Sequence, residues 1–229
     1  MRRFFRILIW FLVIVVVVCG TTAYLLYRGT QKVPEFYQEA LATKPAPQEL
    51  KKMGRQLERQ AAELHNDARR EGRWEAVFTA EQVNAWLAVD LLEKLPATVP
   101  EGVSDPRVKI SSDLIQAACK YETDGFSSVV SLETDVYLTD EPNQVAIRIR
   151  SVRSGLVPLP FRGLLDQVAD SARKNGVDLR WSQQEGDPVA LIRVPTRQQQ
   201  RPPRDLHIES LQVRDGEIYL AGRTETGRE

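Results

Sequence analysis

The side chains that most often catalyse reactions or bind metals are few and scattered in this chain of 229 residues. Its two histidines, His65 and His207, have no cysteine or second histidine at the spacing of a metal site. The sequence contains no phosphate-binding glycine loop, dinucleotide fingerprint, zinc-protease motif or nucleophile-elbow motif. We therefore predict no metal site and no cofactor.

Two short patterns could still support catalysis. Asp166 and Asp170 lie one helical turn apart and could form a carboxylate pair. Ser171 and Lys174 match S-x-x-K, but that motif needs its serine at the start of a helix, and Ser171 falls in the last turn of a predicted one. We interpret the two aspartates as the solvated face of this helix. The prediction is that the chain has no catalytic residue and is not an enzyme.

The strongest signal in the chain concerns location. Ile7–Leu26 is a run of twenty residues without a charge, and as a helix it would span about 30 Å, the thickness of a bilayer's hydrocarbon core. We predict a transmembrane helix over residues 7–27. Arginines 2, 3 and 6 precede it, which favours a cytoplasmic N-terminus at residues 1–6 and an exported domain, periplasmic or extracellular.

A cleaved signal peptide is the alternative interpretation of this run. The apolar core of a signal peptide is about 7–15 residues long, which is shorter than the run found here. Val18-Cys19-Gly20 weakly resembles a lipoprotein cleavage site, but Val18 is bulky where a small residue is expected. We favour an uncleaved anchor in the cell membrane.

The neutral overall charge hides an acidic exported part. Of the 31 basic residues, five flank the apolar run, so the rest of the chain carries 26 basic and 31 acidic residues. A mildly acidic domain is a poor partner for nucleic acid, which we exclude. About 195 residues are enough for one domain with its own core. That domain contains one cysteine, Cys119, so no disulfide stabilises it.

Residues 28–73 are predicted to form a linker and a stalk helix. Within Pro47–Glu71, apolar residues recur at three- and four-residue steps on one narrow seam. The seam comprises Leu50, Met53, Leu57, Ala61, Leu64 and Ala68. It could pack on the chain's own domain or form a coiled-coil dimer; we favour the first, because two seam positions are alanine and one is methionine.

The exported domain is predicted to cover residues 74–223, with a flexible tail at 224–229. Thr79 and Gln82 fit a capping box for a helix through about Lys94, which we expect to bury Val83, Trp86, Leu87 and Leu91. After a loop over Pro100–Pro106, residues alternate with the period of half-buried antiparallel strands, and Cys119 takes an inward position. The fold class is thus α+β, with a long twisted antiparallel sheet packed on amphipathic helices.

Later segments complete this pattern. A second amphipathic helix is predicted from about Phe161 to Lys174, followed by strands at Val177–Trp181 and Val189–Val194. Gln198–Pro203 has the composition of a linker. A hairpin turning at Asp215-Gly216 ends the domain.

The order of these segments resembles a known family. Phe78-Thr79-Ala80-Glu81-Gln82-Val83-Asn84 matches a Phe-Thr-x-Glu-Gln-x-Asn helix start, and Gly155-Leu156-Val157-Pro158-Leu159-Pro160 matches a Gly-x-x-Pro-Leu-Pro segment. With the final x-x-Gly-x-Ile hairpin, they make residues 77–222 similar to the YpmS-like bacterial single-pass membrane proteins. That arrangement is in turn similar to TULIP-like lipid-binding domains.

The TULIP-like resemblance implies an apolar groove for acyl chains between the sheet and a helix. Its lining would come from inward strand residues and from the second helix: Val130, Leu132, Val136, Ile147, Ile149, Leu164, Leu165 and Val168. The same stripes could instead pack together as a closed core, because periodicity does not distinguish a filled core from a lined cavity.

Two functions follow as hypotheses. The first is a membrane-anchored module that binds lipid or another hydrophobic ligand without catalysis. The second is a structural or adaptor protein of the cell envelope that acts through a protein partner.

Overall fold

A computed structural model of the chain describes residues 27–43, 45–94, 99–160, 162–174, 176–198 and 203–227. The predicted span Ile7–Leu26 lies outside these ranges. Within them, no helix is both long enough and apolar enough to cross a bilayer.

The described ranges contain four long helices and eleven strands. The helices are α1 (Glu35–Ala42), α2 (Pro47–Asp67), α3 (Ala80–Lys94) and α4 (Arg162–Lys174). The strands are β1 (Gly72–Thr79), β2 (Val103–Ser111), β3 (Leu114–Thr123), β4 (Phe126–Leu138), β5 (Gln144–Ser154), β6 (Val157–Pro158), β7 (Asp178–Gln184), β8 (Asp187–Arg193), β9 (Arg197–Gln198), β10 (Arg204–Arg214) and β11 (Glu217–Thr226).

The strands form two antiparallel sheets. The larger one has the order β2-β3-β4-β5-β8-β7, with the short β6 paired to β5 outside this order. The smaller one has the order β1-β11-β10-β9. The predicted α+β class with a large antiparallel sheet is confirmed, although the strands are divided between two sheets and not united in one.

The larger sheet has two distinct ends, because antiparallel neighbours place successive turns at opposite ends. The turns at 124–125 and 155–156 lie at one end, which we name the near end because residues 29–31 bind it. The turns at 112–113 and 139–143 lie at the other, the far end. The two ends have different neighbours.

The smaller sheet attaches to the far end through its own hairpin. Gly216 N donates to Ile110 O at 2.9 Å, and Ser112 N donates to the Asp215 carboxylate at 2.9 Å. Asp215-Gly216 forms the β10–β11 turn, as the sequence predicted. The two hairpin turns therefore pair with each other and join the sheets.

Asn143 makes the second connection at the far end. Its side chain is 3 % exposed, and its backbone has a φ of +56° in the turn between β4 and β5. The amide Nδ2 donates to Leu206 O at 2.6 Å, while Oδ1 accepts from Ile208 N at 2.8 Å. One side chain thus pairs with the β10 backbone as a neighbouring strand would.

Asn84 also pairs its side-chain amide with a strand backbone, at the β2 edge of the larger sheet. The predicted capping box is confirmed, since Gln82 N donates to Thr79 Oγ1 and Thr79 N donates to Gln82 Oε1. This box starts α3 so that Asn84 faces β2. Its amide donates to Val108 O and accepts from Val108 N, both at 2.8 Å. Beside the Gly216 contact, the outer edge of β2 is thereby capped by a helix.

The helix α2 packs on its own domain. Its buried residue Gly54 lies so close to α3 that an added Cβ would be 2.4 Å from Asp90 Oδ2. Glu58 accepts from Trp86 Nε1 at 2.9 Å and pairs with Lys94, which lowers the pKa of Glu58 and raises that of Lys94. The helix predicted within residues 28–73 therefore packs on the chain's own domain, which is the alternative that the sequence favoured.

Several local predictions were wrong for identifiable reasons. The sequence indicated no strand at β1, which pairs with β11, the last strand in the sequence. Residues 103–106, predicted as loop, belong to β2, where a bulge accommodates Pro106. The predicted tail 224–229 begins inside β11, which continues to Thr226.

The buried face of α3 also differs from the prediction. Its buried residues are Gln82, Ala85 and Asp90. The four residues predicted as the buried stripe, Val83, Trp86, Leu87 and Leu91, are half-buried. The reason is that α3 lies between α2 and β2 and is shielded on two sides.

We expect Asn143→Gly to lower the free energy of unfolding by about 1–3 kcal/mol, because Leu206 O and Ile208 N would lose their partner. Glycine accepts the positive φ, so the substitution adds no backbone strain. Urea denaturation of the full chain in detergent measures it. Asp113→Gly is the matched control, since Asp113 also has a positive φ but is exposed. Equal stabilities for the two variants would contradict the connection.

Candidate functional site

The strand register places one set of apolar side chains on a single face of the larger sheet. Thr134 pairs with Ile149, Val136 with Ile147, and Leu132 with Val152, and directly paired residues share a face. A bulge at Arg150 keeps Ile149 and Val152 on the same side although they are three residues apart. We name this surface the apolar face.

The apolar face extends over all the long strands of this sheet. Cys119 pairs with Val130, Val145 with Ile192, and Ile147 with Ala190, so the face crosses from β3 to β8. On β7 it continues through Leu179 and Trp181, which pair with Ile192 and Ala190. All five predicted strand residues lie on it: Val130, Leu132, Val136, Ile147 and Ile149.

Burial on the apolar face is uneven. Thr134, Ile149, Val152 and Ala190 are buried. The remaining predicted strand residues, Val130, Leu132, Val136 and Ile147, are only half-buried. A row of aliphatic side chains therefore keeps part of its surface accessible beside a buried strip.

The helix α4 lies at the β7 edge of this sheet. On β7 the residues of the apolar face, Leu179 and Trp181, are half-buried, whereas their neighbour Arg180 is exposed. We infer that α4 covers the apolar side of that edge. Of the predicted helix residues, Leu165 is half-buried and Val168 is 36 % exposed; the side chain of Leu164 lies outside the described part of the structure.

One buried polar group on the apolar face has no hydrogen-bond partner. The indole Nε1 of Trp181 is inaccessible to solvent and has no hydrogen-bond acceptor among the described residues. A buried donor without an acceptor costs free energy.

Part of the opposite face of the sheet is covered by α1. Phe36 and Tyr37 pack with Ala118 and Val129 to form a buried cluster, with Leu41 beside it. The register places Ala118 and Val129 on the side away from Val130. α1 thus packs on the side of the sheet opposite to the apolar face.

Tyr37 fixes α1 in this position. Its ring is 2 % exposed, and its hydroxyl donates to Asp105 O at 2.9 Å. Burial, followed by the nearby Asp105 charge, raises the pKa of Tyr37 to about 12. The tyrosine therefore stays neutral in the folded protein well above the ordinary phenol range.

A cleft of about 960 Å³ lies between α1, α2, α3 and β2. Its walls combine Leu41, Leu50 and Met53 with charged groups such as Glu49 and Arg107. It contains none of the predicted groove residues. This mixed lining differs from the aliphatic composition of the apolar face.

The catalytic candidates do not converge. Within the described ranges, no group of three or more His, Cys, Asp or Glu side chains could hold a metal ion. Asp166 and Asp170 are exposed, and Asp170 is 3.6 Å from Arg173 in an ion pair. Burial raises the pKa of the Cys119 thiol, which disfavours the nucleophilic thiolate.

Comparison with known proteins adds no assignment: no family model, curated protein or solved structure matches the chain. The YpmS-like and TULIP-like resemblances rest on sequence motifs alone. Asn84 and Gly155 belong to those motifs, but the sequence predicts no role for either residue. The structure shows that Asn84 binds the edge strand, a contact for which the sequence has no separate signal.

Tyr37→Phe should change how stability depends on pH. Because the folded-state pKa is about 12 and an unfolded tyrosine titrates near 10, the free energy of unfolding should fall between about pH 10 and 12. The variant should lack this part of the fall and lose about 0.5–1.5 kcal/mol at neutral pH with the hydrogen bond. Urea denaturation on both sides of pH 10 measures it.

The control is Tyr27→Phe, because Tyr27 is 55 % exposed. Parallel alkaline profiles for wild type and Tyr37→Phe would show that this hydroxyl does not hold α1 on the sheet.

Proposed function

We propose that the chain is a membrane-anchored protein whose exported domain binds lipid or another hydrophobic ligand on the apolar face, without catalysis. The observation that supports it best is the row of half-buried aliphatic residues across β4 and β5. A large sheet normally buries both faces or leaves one polar. A partly accessible apolar face is typical of a surface with a further occupant.

The energetics favour an acyl chain as that occupant. Each methylene group removed from water contributes about 0.8 kcal/mol. About ten buried methylenes would therefore supply roughly 8 kcal/mol before the ordering cost of the ligand is subtracted. The strand length is also suitable, since the 13 residues of β4 extend roughly 43 Å at about 3.3 Å each.

The β7 edge of the apolar face also carries accessible apolar surface, because Val168 on α4 is 36 % exposed. A largely apolar lining is the usual composition of small-molecule sites. The apolar run Ile7–Leu26 would hold the domain at a source of such ligands.

The adaptor hypothesis has less support, because α2 uses its seam within the domain. Leu50, Met53 and Leu57 are half-buried, and the helix packs on α3 and β1. A coiled-coil dimer through this seam would have to break that packing. A protein partner therefore enters as an alternative outcome of the experiment that tests ligand binding.

The test is photo-crosslinking in the full chain in native membranes. With p-benzoylphenylalanine in place of Val136, we expect lipid-sized adducts on the protein after illumination, detected by mass spectrometry. The matched control places the same residue at Tyr137, the next position on β4, whose side chain lies on the opposite face. The aromatic replacement there is close in shape, and it should give no lipid adduct.

Three results separate the hypotheses. A lipid adduct at position 136 and none at 137 supports the proposal. An adduct with another protein at 136 favours the adaptor hypothesis. No adduct at 136, 132 or 147 would show that the apolar face is closed and would contradict ligand binding.

A further inference from the structure

Residues 29–31 are hydrogen-bonded to the near end of the larger sheet. Leu156 N donates to Gly29 O at 2.9 Å, and Ser128 Oγ donates to Thr30 O at 2.8 Å. Gln31 Nε2 donates to Ser127 O at 2.8 Å. We name residues 27–31 the strap. Its attachment involves the turn at 155–156 and the first residues of β4.

Gly155 makes the close approach of the strap geometrically feasible. It has a φ of +59°, and an added Cβ would be 2.3 Å from Gly29 O and 2.6 Å from Thr30 O. No side chain fits between the turn and the strap. The Gly-x-x-Pro-Leu-Pro motif therefore begins with a residue whose missing side chain makes room for residues 29 and 30.

The strap also connects the two faces of the sheet. Ser128 and Ser154, whose Oγ atoms are 2.6 Å apart, lie on the apolar face beneath Thr30. A few residues later, Phe36 and Tyr37 pack on the opposite face. The chain hence passes around the near end of the sheet and contacts both of its faces. These contacts fix the strap relative to the sheet.

The surface beside the strap combines exposed apolar and basic residues. Leu156 is 57 % exposed and Tyr27 is 55 % exposed. Arg28, Lys32 and Arg153 are exposed as well. Aromatic and aliphatic side chains next to arginine and lysine are typical of the boundary between a bilayer and water, where the basic groups meet anionic headgroups.

The length of the chain limits how far this surface can be from a membrane. The predicted apolar run ends at Leu26, and only Tyr27 and Arg28 separate it from Gly29. Even fully extended, this connection spans roughly 10 Å. The near end of the sheet must therefore lie within a headgroup layer's thickness of the point where the run ends.

We propose that the near end of the larger sheet rests on the bilayer that holds Ile7–Leu26, with Leu156 and Tyr27 in its headgroup region and the far end pointing away. The proposal rests on the membrane anchor in the proposed function. In this orientation the strands lead away from the membrane, and the apolar face begins beside the strap at Val130 and Val152. A lipid would reach it directly from the bilayer surface.

The test uses the full chain in nanodiscs that contain an anionic lipid. An environment-sensitive fluorophore is attached to Leu156→Cys or, at the far end, to Asp140→Cys, with Cys19→Ser and Cys119→Ala as background. Lipids spin-labelled at the headgroup should quench the fluorophore at 156 and leave that at 140 unquenched. Equal quenching at both sites, or none at 156 in a membrane-integrated protein, would overturn the proposal.

A glycine pair tests whether the strap sets the orientation. Gly155→Ala would press its methyl group against Gly29 O and should reduce the quenching at 156. Gly125→Ala lies in the neighbouring near-end turn with a φ of +79° and nothing within 4 Å, so it carries similar backbone strain without the collision and should keep the quenching. Unchanged quenching in Gly155→Ala would overturn the role of the strap.

If Gly155→Ala does not fold, Ser128→Ala takes its place, because it removes one hydrogen bond to the strap. Quenching at 156 should fall in this variant, and unchanged quenching again counts against the role of the strap.

The quenching experiment and the crosslinking experiment test the two proposals separately. Lipid adducts at Val136 without quenching at 156 would refute the orientation alone. Quenching at 156 without adducts would refute the ligand site alone.

Discussion

The larger sheet carries apolar residues on both faces, and α1 covers part of one of them, at Ala118 and Val129. This constraint governs the rest of the fold. Phe36 and Tyr37 close the face that contains Ala118 and Val129, while the other face has α4 at its β7 edge and a buried strip near Thr134 and Ile149. A sheet with a partly accessible apolar face is incompletely stabilised by its own chain, because exposed aliphatic surface forgoes its burial free energy. That deficit is the physical reason for expecting a ligand.

Three components around this sheet are joined to it by specific polar contacts as well as by packing. Asn143 fastens the smaller sheet to the far end, Asn84 fastens α3 to the β2 edge, and the strap fastens residues 29–31 to the near end. In each case an amide or hydroxyl pairs with backbone groups that would otherwise be unsatisfied. Such contacts fix position without consuming apolar surface. The apolar face is left with the accessible aliphatic surface that a hydrophobic ligand requires.

Local signals predicted much of this fold. The alternation on β3, β4 and β5, the Thr79–Gln82 capping box and the Asp215-Gly216 hairpin appear in the structure because each depends on neighbouring residues. Local sequence patterns did not predict the elements whose structure depends on residues distant in the sequence. β1 pairs with a strand almost 150 residues later, and β2 continues past Pro106 because a bulge absorbs it.

The candidate site shows the same limit. Periodicity placed Val130, Leu132, Val136, Ile147 and Ile149 on one face, and the register agrees. It could not indicate how much of that face other elements cover, since a packed core and a lined groove have the same period. Nor could it reveal that Ser128 and Gly155 hold the strap, because that contact joins residues about a hundred positions apart.

If the apolar face binds a lipid, hydrocarbon lies against it, and neither protein nor water does. Power-saturation electron paramagnetic resonance of a spin label at Ile147→Cys, in the full chain in a membrane with the native cysteines replaced, measures which of the three is present. Oxygen partitions into mobile hydrocarbon and a charged nickel chelate does not. A bound acyl chain should give high accessibility to oxygen and low accessibility to the chelate. Low accessibility to both would show a closed protein core, and high accessibility to the chelate would show a water-filled surface; either result would rule out ligand binding on this face.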